Sequence, residues 1–223
     1  LKVIDTQELD LAVSTLIKVK PIPGIRDRQE ITYRITIPDQ DPTEFIAQDD
    51  VQSLNKVDDH LVELTIKPLP IPDKSIPSKS PGEQFLKSSE FLQADDAKVI
   101  ERANAAAGEL KDQPQIARAM EKYVREKLDK KNFSTALASA AEVAANLEGD
   151  CTEHAVLLAA MLRAKQIPSR VAVGVVYVEL DKQPSFGGHM WTEVYIRGVW
   201  VPLDASLGRG VVAAERRGRA RDR

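Results

Sequence analysis

Hydrophobic and polar positions change period along this chain. Over the first seventy residues, Leu11–Lys20, Glu30–Ile37 and His60–Lys67 are rich in β-branched residues. The last two alternate apolar with polar, the period of half-buried strands. Pro21-Ile22-Pro23-Gly24 and Pro38-Asp39-Gln40-Asp41-Pro42 supply turns between them. The pattern predicts three or four antiparallel strands in a small all-β module over residues 1–70. His60, among polar neighbours at a strand start, reads as a surface residue. Pro68, Pro70, Pro72, Pro77 and Pro81 then make an extended, semi-rigid stretch, with residues 71–81 read as a linker.

From there the period lengthens to that of helices. Asp95-Asp96 can cap a helix running to Ala107, with Gly108 just past its end. Pro114 fits the first turn of a second helix, whose apolar positions are Ile116, Met120, Tyr123, Val124 and Leu128. Ser134 or Thr135 can cap a third, through Leu147, with Ala136, Leu137, Ala140, Val143 and Ala144 facing inward and Gly149 ending it. The next helix, after Cys151, is apolar on nearly every side until Arg163, so it is a core helix; Pro168 stops it.

Strands return at the C-terminal side. Arg170–Glu179 is a near-continuous apolar run and predicts a strand buried on both faces. His189–Ile196 and Val199–Asp204 flank Arg197-Gly198, which reads as a hairpin. If that turn pairs Ile196 with Val199, His189 falls opposite Ser206, and Asp204 lies on the same face within diagonal reach. The fold class predicted is α+β, a nucleophile helix on an antiparallel sheet over residues 82–207, preceded by the all-β module.

Composition narrows the functional classes. The 223 residues are 43% hydrophobic and 29% charged, enough to bury a core, and no run is long enough to span a bilayer. A net charge of −3 gives no sign of a nucleic-acid partner. A single cysteine excludes an internal disulfide, and with three histidines it leaves a closed zinc site short of ligands. No metal or cofactor is expected. The chain opens at Leu1 without methionine or a signal peptide, as a mature or trimmed chain would, so export is left open.

The chemistry gathers at Gly149-Asp150-Cys151-Thr152-Glu153-His154. A thiol at a helix start is polarised toward thiolate by unpaired N–H groups and the helix dipole. His189 is the candidate base and Asp204 the carboxylate that would orient it. A tetrahedral oxyanion would be held by the Cys151 backbone N–H and one upstream donor, for which Asn132 is the candidate. His154, three residues on from the thiol, is expected to hydrogen-bond locally; Asp150 and Glu153 belong to helix-start electrostatics. Trp191 is a candidate cleft wall, and both Trp191 and Trp200 are equally at home in a core.

Gly149-Asp150-Cys151, Ile167-Pro168-Ser169-Arg170-Val171, His189-Met190-Trp191-Thr192-Glu193-Val194 and Trp200-Val201-Pro202-Leu203-Asp204-Ala205-Ser206, in that order, resemble the bacterial transglutaminase-like family. The resemblance covers roughly residues 82–207. It implies a papain-like α+β fold and a Cys-His-Asp triad, with Cys151 as nucleophile, His189 as base and Asp204 as orienting acid. It also implies a protein or peptide substrate, with an amine as possible co-substrate, and favours the cell envelope or secretion over the cytoplasm. Gln166 departs from the glycine usual in such sequences before Ile-Pro. Residues 208–223 depart further, as an arginine-rich tail unsuited to a buried strand and open to reading as a solvated tail, a truncation or a frame artefact. The leading expectation is acyl transfer or amide hydrolysis through a thioester, with hydrolysis somewhat favoured. The alternatives are a catalytically idle binding module of the same fold, and a metal-binding module using Cys151, His154 and a carboxylate.

Overall fold

A computed structural model describes residues 16–25, 28–67, 69–128, 138–180 and 183–207. The chain divides into two compact units. Among the described residues, one is formed within 22–70 and the other by 16–21 together with those from 71 to 207.

In residues 22–70, β2 (Ile31–Thr36), β3 (Gln52–Lys56) and β4 (Leu61–Ile66) form an antiparallel sheet ordered β2-β4-β3. The central strand buries Val62 and Leu64, as its alternation predicts, and β2 adds Ile31. Gln-Ser-Leu-Asn-Lys of β3 is too polar to announce a strand; its ladder with β4 pairs Leu54 with Leu64.

In the other unit, β5 (Ser169–Leu180) and β6 (Gln183–Ile196) pair antiparallel along their length. The strand β5 is not buried on both faces as its apolar run predicts, since Val173 and Val175 are 72% and 57% exposed. On the far side of β6 lie two short strands: β1 (Ile17–Lys18), opposite Phe186 and Ser185, and β7 (Val199–Leu203), opposite Thr192–Ile196. Of the run Leu11–Lys20, only its last residues are described, and they pair with β6. No ladder pair is described on this side of β6 between Phe186 and Thr192. His189 lies in that interval.

Four helices complete the unit: α1 (Ala97–Ala107), α2 (Gln113–Lys127), α3 (Ala140–Asn146) and α4 (Cys151–Ala164). Asp96 caps α1 through the N–H groups of Lys98 and Val99, and Gly108 follows its end, as the sequence predicts. Pro114 sits in the first turn of α2. The third helix starts later than expected: Ser139 caps it in a capping box with Glu142, while Ser134 and Thr135 lie outside the described residues. Every α4 residue from Glu153 to Arg163 is buried, which fits its all-round apolar sequence. Its carbonyl at Ala155 accepts the Thr192 hydroxyl, tying the helix to β6. The other end of α4 is tied to β5 by Arg163, whose Nε and Nη2 donate to the Ser169 carbonyl.

The proline-rich segment lies against the β6–β7 turn. Ile76 N–H donates to the Arg197 carbonyl, Arg197 Nη1 to the carbonyls of Pro72 and Asp73, and Tyr195 Oη to that of Lys79.

Candidate active site

Cys151 is the first residue of α4 and is half-buried. Its position is fixed by a capping box. The Asp150 carboxylate accepts from Thr152 N–H, and Glu153 reaches back to Asp150 N–H at 3.0 Å. Glu153 also accepts from Ala138 N–H, and burial pushes its carboxyl above the usual carboxylate range. Gly149 makes this packing possible: at φ 149°, a Cβ there would lie 2.3 Å from that of Glu153. As a first-turn residue, Cys151 also presents a backbone N–H with no partner inside the helix.

His154 is buried one turn along. Its Nδ1 contacts the Asp150 carbonyl, and burial lowers its pKa. That local bond is the one expected of it. Among the described residues, no group of three or more His, Cys, Asp or Glu side chains is arranged to hold a metal ion. No helix among them is long and apolar enough to cross a membrane.

The hairpin register is the one anticipated, with Ile196 opposite Val199 and Thr192 opposite Leu203. Asp204 follows directly after β7, and its Oδ2 lies 2.9 Å from His189 Nε2, both residues being buried. The other carboxylate oxygen accepts from Ser206 N–H, the Ser206 hydroxyl and Leu207 N–H, an Asx-type turn that fixes the side chain. Burial alone would push the His189 pKa down. The hydrogen bond to Asp204 and the influence of the neighbouring Cys151 thiol outweigh it and raise the value to about 9. With Nε2 on Asp204, Nδ1 is the nitrogen left for the thiol. The structure therefore brings Cys151, His189 and Asp204 together around one imidazole.

Trp191 stacks near His189, ring centroids 6.3 Å apart and planes at 20°. Its far edge lies over Gly174, where a Cβ would sit 2.7 Å from Cη2, and its indole nitrogen is buried with no acceptor among the described residues. Trp200 instead packs against Phe85, Tyr195 and the Arg170 guanidinium. Asn132 lies outside the described residues, as does the tail 208–223.

One buried group at the site escaped the sequence reading. Glu121 of α2 is 6% exposed, and its Oε1 accepts the Asp204 backbone N–H at 3.0 Å. The signal was there: Ile116, Ala117, Met120, Glu121 and Val124 are the buried positions of α2, so an acid occupies the apolar stripe.

Residues 100–205 match the family model of the transglutaminase-like superfamily. Solved structures similar over 86% of the chain include the following two. A candidate cysteine protease from Cytophaga hutchinsonii is 19% identical, with 71% of its own chain covered and a TM-score of 0.51. The periplasmic domain of TgpA from Pseudomonas aeruginosa is 17% identical, with 72% covered and a TM-score of 0.57. At such identities the likeness is one of fold: mixed helix and antiparallel sheet. No curated protein matches the chain.

Proposed function

From the transglutaminase-like core at residues 100–205 we propose that this protein is a cysteine-dependent enzyme acting on amide bonds of proteins or peptides, with Cys151, His189 and Asp204 as its triad. The observation that carries the reading is the single imidazole bonded to a buried carboxylate, with a helix-start thiol near enough to help raise its pKa. The nucleophile comes from the start of α4, the base from β6 and the orienting carboxylate from the residue that follows β7.

In the proposed reaction the Cys151 proton passes to His189, and Sγ attacks the substrate carbonyl carbon. The oxyanion forms beside the Cys151 N–H, with Asn132 as the proposed second donor. Collapse breaks the C–N bond, and His189 returns the proton to the departing amine or ammonia, leaving a thioester on Cys151. Water attacking the thioester gives hydrolysis; a second amine gives a new amide. Asp204 holds the imidazole through Nε2 and stabilises its charged form. Trp191 would wall the cleft beside His189.

The test is alkylation of Cys151 by iodoacetamide, followed by mass spectrometry, in the native protein and in His189→Ala. Rapid labelling near pH 7 that slows in His189→Ala supports the enzyme. Labelling no faster than free cysteine and indifferent to the substitution would leave an idle module. A glutamine-containing peptide, with and without an added primary amine, then separates ammonia release by water from amine incorporation.

A further inference from the structure

Resting on that triad, we propose that Glu121 is a positioning residue of the site, fixing Asp204 through its backbone so that the carboxylate meets His189. The ladder between β6 and β7 ends at Thr192 and Leu203, so the next residue leaves the sheet. Its N–H would be a buried orphan donor, since Asp204 is 1% exposed. Glu121 Oε1 takes that N–H at 3.0 Å from outside the strand. The Asp204 side chain is held separately, by the Ser206 and Leu207 donors on Oδ1. Two anchors thus fix Asp204, one on the backbone from α2 and one on the side chain from the following turn, and Oδ2 is left for His189.

The nature of Glu121 argues for a role at the site. An apolar residue on that stripe would pack with Met120 and Val124 and spare the cost of burying a carboxylate. Its cationic partner among the described residues, Arg118, contacts Oε2 at 3.1 Å, but the Arg118 side chain is 52% exposed. Such a half-exposed pair contributes little by itself. The interaction with most at stake is the buried one to Asp204.

Glu121→Met keeps the volume and removes the acceptor. Glu121→Gln keeps one acceptor for the buried N–H, because the exposed Arg118 can turn to water. Both are compared with the native protein by the pH profile of Cys151 alkylation with iodoacetamide, by kcat and KM on p-nitrophenyl acetate, and by thermal melting. The expected result is a folded Glu121→Met whose profile moves toward that of an ordinary thiol and whose kcat falls about tenfold or more at little-changed KM, with Glu121→Gln restoring most of both. A folded Glu121→Met with native profile and kcat overturns the proposal. Should Glu121→Met fail to fold, Glu121→Asp decides on the same readouts, since it keeps the charge but falls one methylene short of the Asp204 N–H. Unchanged values there overturn the proposal equally. A native protein whose Cys151 labels like free cysteine, with no response to His189→Ala, would defeat the triad itself; a native paired profile with an indifferent Glu121 defeats only its positioning role.

Discussion

His189 Nε2 and Asp204 Oδ2 lie 2.9 Å apart in a buried pair assembled by one hairpin. Burial works against the imidazolium, and the hydrogen bond to Asp204 together with the neighbouring Cys151 thiol outweighs it, leaving the pKa at about 9. Because the folded value is raised above the ordinary ~6.5, the pair stabilises the fold fully below about pH 6.5 and ceases to as pH climbs through about 9. The same proton is the one the leaving amine would receive. Turnover of a peptide amide is therefore expected to fall along an alkaline limb near pH 9. Asp204→Asn keeps the shape and removes the charge. It should bring the limb down toward the ordinary imidazole value and slow turnover by roughly 10²- to 10⁴-fold. An unmoved limb in Asp204→Asn would show that the carboxylate does not govern His189.

Trp191 depends on a missing side chain across the ladder. Gly174 is the cross-strand partner of His189, and a Cβ there would meet the indole at 2.7 Å. Gly174→Ala should displace Trp191 beside His189, destabilise the protein by about 1–3 kcal/mol and slow alkylation of Cys151. Gly188→Ala is the control on the same ladder, since nothing lies within 4 Å of its Cβ. Equal melting temperatures and labelling rates for the two variants would contradict this assignment.

The nucleophile turn has a similar requirement. In Gly149→Ala the new methyl would collide with Glu153 at 2.3 Å, on a backbone at φ 149°. Glu153 can yield only by giving up the N–H groups of Asp150 and Ala138. We expect a loss of ~2 kcal/mol or more, and a Cys151 labelling rate nearer that of free cysteine. Native-like melting with native-like labelling would mean that the capping box does not fix the thiol.

What the sequence made legible followed from local periodicity. The two-residue period and the Arg197-Gly198 turn place His189 and Asp204 on one face, and the register agrees residue by residue as far as Thr192 and Leu203. The all-apolar run after Cys151 announced a buried helix. Less legible were features set by distant partners. The polar Gln52–Lys56 is a strand through its pairing with β4. Ile17–Lys18 joins β6, some 170 residues on. The approach of Cys151 to His189 depends on how α4 lies against β6, which spacing does not encode. Glu121 was visible as an acid in an apolar stripe, but its acceptor role depends on the point at which β7 leaves the ladder.

Gln166, where glycine was the residue expected by resemblance, gives the last prediction. Its N–H donates to the Arg163 carbonyl and that of Ile167 to Leu162, the paired bonds of a Schellman ending for α4. Gln166 is the left-handed residue of that motif, at φ 58°. A side chain there costs about 1 kcal/mol or more relative to glycine. Its compensation is slight: Gln166 Nε2 reaches the Arg163 carbonyl only at 3.4 Å. Gln166→Gly relieves the strain but adds freedom to the unfolded chain, leaving a net gain of ~0.5 kcal/mol. Gln166→Ala keeps the strain and loses the side-chain bond, so it should lose a similar amount. The two substitutions are expected to move the melting temperature in opposite directions by about 1–2 °C. Both should leave Cys151 alkylation untouched, since the site lies at the other end of a helix spanning roughly 20 Å. If glycine lowered the melting temperature as alanine does, the left-handed strain would not be what distinguishes this position.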